Sequence, residues 1–181
     1  VDELATRKYT TLPYSQDYER VSGIIRNATG HVTGITLFVW NPSQKDIETF
    51  GHLIYACCSL FRLLSTLSIR GRLSDDCAKA IAQAISVGCS FTLIDLSWCF
   101  KWYEHCAEGF EAIYKAMGVI GSLTSINLTN NKLGPESAKA IAHGISVSGS
   151  LKCINLHNNK LGPEGGKAIA EAISVSGSLT S

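Results

Sequence analysis

The sequence predicts a right-handed α/β solenoid, a row of similar units that each contain one strand and one helix. The main observation is a repeat of 28 residues, because residues 123–150 and 151–178 match in register and open with LTSINLTNNKLGPE and LKCINLHNNKLGPE. Each unit begins with alternating apolar and polar residues, which is typical of a half-buried strand. Each unit then continues with apolar residues at helical spacing.

The strand of each unit is predicted from its period of two. Ile126 and Leu128 point to one side, whereas Asn127 between them points to the other. Applied to every unit, this pattern predicts parallel strands centred near Ile35, Leu67, Ile94, Ile126 and Ile154.

The helix of each unit is predicted from its apolar spacing and its end signals. Pro163 suits the first helical turn, and Glu164 lies near the positive end of the helix dipole. Gly177 is a reasonable stop signal. The apolar face in the last full unit is formed by Ala168, Ile169, Ala172 and Ile173.

The pattern LxxLxLxxNxL can be followed upstream through less regular units. Units begin near residues 32, 64, 91, 123 and 151, and a truncated sixth begins at residue 179. In the third unit Cys99 stands where the later units have Asn. The second unit is one residue shorter, and its Asn position falls near Gly71.

These units resemble leucine-rich repeats of the ribonuclease-inhibitor-like subtype, which also occur in NOD-like receptors and in the Ran GTPase-activating protein. The resemblance covers residues 32–181. It implies a horseshoe arc with a parallel sheet on the concave side and helices on the convex side. It also implies a ladder in which Asn131 and Asn159 bond the backbone of neighbouring turns, with Cys99 as a substitute. Gly71 has no side chain that could contribute to the ladder.

The two ends of the array differ from its interior. Residues 1–31 do not carry the repeat, and residues 20–33 read as two strand pieces around a turn at 27–30. We interpret residues 1–31 as an N-terminal capping region, because a stacked unit otherwise leaves its apolar face bare. Beyond Leu179 no further layer covers the last unit, so we expect the chain to be part of a longer array.

Composition excludes several classes of partner. The 16 basic and 15 acidic residues give a net charge of +1, which is a weak electrostatic footprint for nucleic acid. No apolar run reaches the ~18 residues of a membrane span. The odd number of cysteines, seven, argues against a closed disulfide framework and favours a reducing compartment, here the cytoplasm.

Catalytic and metal signatures were compared with the cysteine and histidine positions. The chain has no Walker phosphate loop, HExxH or GxSxG motif. Cys89, Cys99, His105 and Cys106 contain ligand types that zinc prefers, but their spacing matches no common zinc pattern. A Cys–His nucleophile pair would lack an identifiable orienting group. We therefore predict no catalytic residue, metal or cofactor.

Two surfaces are candidates for binding a partner, because aromatic residues and arginine are enriched in interfaces. One is an insertion after Cys99, and the other is the outward face of the early strands, where Asp95 also lies. The alternatives are that the rings fill space under an irregular loop and that the sheet face is merely solvated. The candidate residues are Phe38, Trp40, Arg70, Asp95, Trp98, Trp102 and Tyr103.

The sequence thus favours a non-catalytic module that presents a rigid scaffold to a protein partner. Two alternatives rest on family analogy alone. They are a GTPase-activating regulator of the Ran-regulator type and the sensor region of a NOD-like receptor.

Overall fold

The computed structural model describes residues 19–26, 29–39, 63–71, 73–86, 90–100 and 107–180. The strands in these ranges are β1 (Glu19–Arg26), β2 (Val32–Val39), β3 (Thr66–Gly71), β4 (Leu93–Asp95), β5 (Ser125–Asn127) and β6 (Cys153–Asn155). The helices are α1 (Asp75–Ser86), α2 (Ala107–Val119), α3 (Pro135–Val147) and α4 (Gly162–Val175).

The strands form one sheet in chain order, and β2 to β6 are parallel. One register row joins the centres of all five parallel strands: Ile35, Leu67, Ile94, Ile126 and Ile154. These are the strand centres that the sequence predicts. The fold is therefore an α/β repeat solenoid, as expected.

Strand β1 differs from the others because it runs antiparallel to β2. It lies at the edge of the sheet, so residues 19–26 pair with backbone groups that would otherwise be open to another chain. The turn between the two strands includes Gly30, whose φ of 83° favours glycine. A capping role for residues 1–31 as a whole stays a prediction.

The core lies between the sheet and the helices. Strands β2 to β6 contribute apolar residues to it, helices α1 to α4 each contribute one apolar stripe, and burial is nearly complete in the middle units. Burial decreases in the last unit, where Ile154 and Leu156 are half-buried and Ile173 is exposed. The buried strand residues of the middle units are Leu67, Ile69, Ile94, Leu96, Ile126 and Leu128.

Two of the helix pairs pack closely through a glycine. A Cβ atom on Gly165 of α4 would lie 2.6 Å from the Cβ of Ala138 in α3. At the equivalent place, a Cβ on Gly109 of α2 would lie 2.7 Å from the Cβ of Ala78 in α1. Both distances are shorter than real Cβ contacts, so these helices approach as closely as they do because the residue is glycine.

Helix α4 ends at Val175, two residues before the stop signal Gly177. Gly177 does not have a positive φ. Ser176, in extended conformation, closes the last turn by donating its backbone N–H to the Ala172 carbonyl. Its hydroxyl then accepts the N–H of Leu179 at 3.3 Å, which turns the chain towards the next strand position.

Candidate functional site

The candidate site is the sheet face that none of the described helices covers, which we call the open sheet face. Its residues alternate along each strand with the buried core residues. Described unit by unit, the open sheet face consists of Thr66, Ser68 and Arg70, then Leu93, Asp95 and Ser97, then Ser125, Asn127 and Thr129, and then Cys153, Asn155 and His157.

Arg70 and Asp95 form a bidentate ion pair on this face. The Nη1 of Arg70 donates to Oδ1 of Asp95 at 2.9 Å, and its Nη2 donates to Oδ2 at 2.8 Å. Nη1 also donates to the hydroxyl of Ser97. The Arg70 side chain is 36% exposed and the Asp95 side chain is 16% exposed. This planar geometry is the strong form of an arginine–carboxylate contact.

The pKa values of the two groups move apart. Burial by itself raises the pKa of Asp95, but hydrogen bonds from Arg70 and Ser97 outweigh it and lower that pKa below its ordinary value of 3.8. The hydrogen bond to Asp95 raises the pKa of Arg70, and burial opposes this only in part. Both groups are therefore charged at neutral pH.

We expect Asp95→Asn to lose about 1 kcal/mol of stability at neutral pH, a modest value because Arg70 is over a third exposed. The pKa of the Asp95 carboxyl is lower in the folded protein than its ordinary value of 3.8. The stabilisation that the carboxylate provides is therefore complete at pH values above 3.8, and it is lost as the pH falls through the pKa of the folded protein. The stabilities of wild type and variant should therefore converge in acid. Urea unfolding across this pH range tests it, and a constant difference at every pH would contradict it.

Asn is a suitable replacement because the later units carry Asn at this position. The Oδ1 atoms of Asp95, Asn127 and Asn155 each accept the backbone N–H two residues further on, at 2.9, 3.1 and 3.0 Å. Such Asx turns end the three strands in the same way. The alternation in the sequence predicts that Asn127 faces away from the core but not that it has this role, although the alignment of Asn127 and Asn155 with Asp95 carries the signal.

A row of left-handed residues follows the strands. Trp98 has φ 67°, and the equivalent Asn130 and Asn158 have φ 62° and 54°. Asn tolerates this conformation, and the side chain of Asn158 also donates a hydrogen bond to that of Asn130. A bulky side chain such as that of Trp98 adopts it only at a cost in free energy. The Trp98 side chain is nevertheless 48% exposed.

The structure brings three of the seven candidate binding residues together. Arg70, Asp95 and Trp98 lie at one corner of the open sheet face, where Ser97 links the ion pair to the Trp98 turn. Phe38 pairs with Arg70 in the sheet register, but its side chain is outside the described part. Trp40, Trp102 and Tyr103 also lie outside the described residues. Ser97 is a member of the site that the sequence analysis did not single out.

Asn131 lies beneath this face, and only 2% of it is exposed. Its Nδ2 donates to the Leu96 carbonyl in the preceding unit and to the Leu128 carbonyl in its own unit, both at 2.9 Å. Its Oδ1 accepts the backbone N–H of Phe100 at 2.9 Å. The amide thus joins two consecutive units.

Asn159 makes the equivalent contacts one unit later. Its Nδ2 donates to the carbonyls of Leu128 and Leu156 at 2.9 Å. Its Oδ1 accepts the N–H groups of Asn131 and Leu133 at 3.1 Å. Asn159 is half-buried, so water can reach this part of the ladder more easily.

Cys99 occupies the ladder position of the third unit. Its thiol donates to the Ile69 carbonyl at 3.1 Å. Ile69 is the residue of the second unit that is equivalent to Leu96 and Leu128. In the second unit Gly71 has φ 123°, a conformation that favours glycine, and the units are joined there by the Leu73 N–H and the Cys99 carbonyl at 2.9 Å.

The chemistry of Cys99 does not suit a metal ligand or a nucleophile. Burial raises the pKa of its thiol far above the ordinary value, so the reactive thiolate is not populated at neutral pH. Within the described residues, no three Cys, His, Asp or Glu side chains come together as a metal site would require. Cys89, His105 and Cys106 lie outside the described ranges.

Comparisons with known proteins agree with this geometry. Residues 122–142 and 148–170 match the family model described as leucine-rich repeat. The chain is also similar in structure to the tropomodulin C-terminal domain of Caenorhabditis elegans, with a TM-score of 0.55, 17% identity, and coverage of 77% of this chain and 82% of that chain. No curated protein matches the chain. The family match shows leucine-rich repeats in the matched residues, and the structural similarity shows the same repeat fold over a larger part of the chain.

Proposed function

We propose that this chain is a non-catalytic scaffold that binds a protein partner through the open sheet face, centred on Arg70, Asp95 and Trp98. The observation that carries the proposal is Trp98. It is a large, half-exposed aromatic residue in a left-handed conformation, and the next two units have Asn at the same position. A strained residue at the surface is a reason to propose a role beyond folding.

The neighbours of Trp98 fit an interface. Tryptophan and arginine are the side chains most often found as binding anchors, and Leu93 adds an exposed apolar side chain on the same face. The ion pair holds Arg70 in one orientation, so little side-chain entropy is lost when a partner covers it. The parallel sheet and its ladder supply a rigid support.

The test compares stability and binding in the same variant. Trp98→Asn should raise the free energy of unfolding by about 1 kcal/mol, because Asn adopts the left-handed conformation at lower cost. The same change should lower the affinity for the partner at least tenfold, as the loss of a binding anchor does.

The partner would first be captured with the full chain and identified by mass spectrometry, and its affinity would then be measured by calorimetry. Lys160→Ala, an exposed change away from the site, is the control. Unchanged affinity in both Trp98→Asn and Arg70→Ala would contradict the proposal.

Two finer assignments accompany this proposal. The 28-residue period and the lengths of helices α1 to α4, which have 12 to 14 residues each, support the ribonuclease-inhibitor-like subtype. The described cysteines Cys99 and Cys153 form no disulfide, which supports the cytoplasm as the location. None of the described helices has both the length and the apolar character needed to cross a membrane.

A further inference from the structure

A second candidate surface lies at the side of the solenoid where the helices end and the next strands begin. Helices α2, α3 and α4 end there at Val119, Val147 and Val175, which occupy the same position in three consecutive units. These valines are 68%, 53% and 70% exposed, although folded proteins usually bury valine. Each is followed two residues later by an exposed glycine: Gly121, Gly149 and Gly177. We call the surface formed by these valines and glycines the lateral face.

The three glycines are not required by the packing or the backbone of the single chain. A Cβ atom on any of them would meet no atom within 4 Å in the described part of the protein. None of them has a positive φ, the conformation for which glycine is normally needed. Larger residues would therefore fit at these positions. A row of glycines beside exposed valines instead leaves room for another surface to approach closely.

The hydroxyl groups at this side are already hydrogen-bonded inside the protein. Ser150 donates to the Leu123 carbonyl at 2.8 Å, and Thr124 donates to the Thr92 carbonyl at 3.0 Å. The equivalent hydroxyls in the neighbouring units, which also donate to backbone carbonyls, are those of Ser122, Ser178, Thr92 and Thr180. Burying a polar group costs less free energy when its hydrogen bond is already made, so this side can be covered at a low cost.

Charged residues are rare at this side. The segments that end the three helices, residues 116–122, 144–150 and 172–178, contain no Asp, Glu, Lys or Arg, although 17% of the chain is charged. At the start of the fifth unit the chain has Lys152, where the third and fourth units have Thr92 and Thr124. A largely uncharged surface fits a partner of the same character, because a charge that loses water without a counter-charge is costly. A second copy of this chain offers such a surface.

We propose that two copies of this chain associate through their lateral faces, related by a twofold axis beside Val147. The axis runs from the sheet to the helices, so it reverses the order of the units but keeps the sheet of one copy beside the sheet of the other. Val147 then opposes Val147 of the second copy, and Val119 opposes Val175. The row of valines matches itself in this arrangement, because consecutive units are stacked at similar intervals. Lys152 opposes Thr92 and not another lysine.

The dimer is weak and leaves the open sheet face free. A standard interface uses roughly 20–30 residues on each side, far more than the lateral face contains, so the association is reversible. The axis keeps the two sheets on the same side of the dimer, so both open sheet faces point in one direction. The dimer therefore presents the candidate binding surface twice, which raises the avidity for a partner that is itself repeated.

The experiment is sedimentation equilibrium of the full chain between about 10 µM and 1 mM, a range that detects weak association. The wild type should form dimers in this range. Val147→Lys places two ammonium groups opposite each other and should weaken the dimer at least tenfold. Gly166→Lys adds the same charge at an exposed glycine near the start of α4 and should leave the dimer unchanged. A wild type that stays monomeric, or a Val147→Lys protein that associates as the wild type does, would overturn the proposal.

A charge exchange tests the orientation of the two copies. Val119→Lys combined with Val175→Glu places opposite charges across the axis and should dimerise at least tenfold more tightly than Val119→Lys combined with Val175→Lys. Equal association of these two proteins contradicts the twofold arrangement. Gly149→Gln should weaken the dimer at least tenfold without changing the urea midpoint of unfolding, because its side chain meets open space in the single chain. Circular dichroism establishes that each variant is folded.

Discussion

Replacing Asn131 with alanine is expected to lower the free energy of unfolding by about 3 kcal/mol. The change leaves the buried N–H of Phe100 without its acceptor and removes two donors from the Leu96 and Leu128 carbonyls. The N–H contributes most of the loss, because the Leu128 carbonyl still accepts from Asn159. Asn131 is almost fully buried, so water cannot easily replace these bonds.

The measurement is the urea midpoint of unfolding, followed by circular dichroism. Lys132→Ala is the matched control, since Lys132 is the exposed neighbour and also has a left-handed backbone, with φ 54°. Asn159→Ala should have a smaller effect than Asn131→Ala, because Asn159 is half-buried. If Asn131→Ala and Lys132→Ala unfold at the same urea concentration, the ladder does not stabilise the array.

Two adjacent glycines in α4 should respond in opposite ways to the same substitution. Gly165→Ala places a Cβ 2.6 Å from that of Ala138, which cannot move aside because it is attached directly to the backbone of α3. We expect a loss of roughly 1–3 kcal/mol from overpacking. Gly166→Ala meets no atom within 4 Å and should gain about 0.5–1 kcal/mol, because alanine favours the helix.

The pair separates packing from helix propensity. Both variants add one methyl group to the same helix, so a difference of sign can only come from the neighbour that Gly165 meets. Thermal and urea unfolding of the two proteins measure it. Two stabilised proteins would show that α3 and α4 can separate at no cost, and the close approach would then have no role in the fold.

Much of the fold could be predicted because the apolar pattern repeats in register. Ile126 and Ile154 are 28 residues apart and lie opposite each other in β5 and β6, as their period requires. Register in a parallel sheet follows from the side chains that must reach the core, so it is visible in sequence. The stop signal Gly177 located the end of α4 to within two residues, but the sequence did not indicate that the backbone and hydroxyl of Ser176 form the cap.

The site was harder to predict because its contacts are not periodic. Arg70 and Asp95 were both predicted as partner-binding residues, but their ion pair joins side chains 25 positions apart and has no equivalent between the other units in the described part of the chain. The strain at Trp98 has a weak sequence signal, namely that Asn occupies the same position in the next two units.

The helix pair α2–α3 illustrates a different limit, because Ser137 and Phe110 stand there where the neighbouring pairs have a glycine and an alanine. Phe110 and Ser137 are ordinary residues for a helix, and neither is unusual in its own unit. Their effect appears only when the equivalent residues of two neighbouring units are compared as a pair, because helix separation depends on both side chains. A pattern search along a single unit cannot detect it.

The thiol of Cys99 has a consequence for the chemical reactivity of this protein. A thiol that donates to a carbonyl between units and has a raised pKa does not react with alkylating reagents while the units are joined. It becomes accessible only when the second and third units separate. Cys153, which is half-buried on the sheet, needs a smaller opening to react. The rate at which Cys99 is labelled therefore reports how often the array opens at this junction, at times when the rest of the protein remains folded.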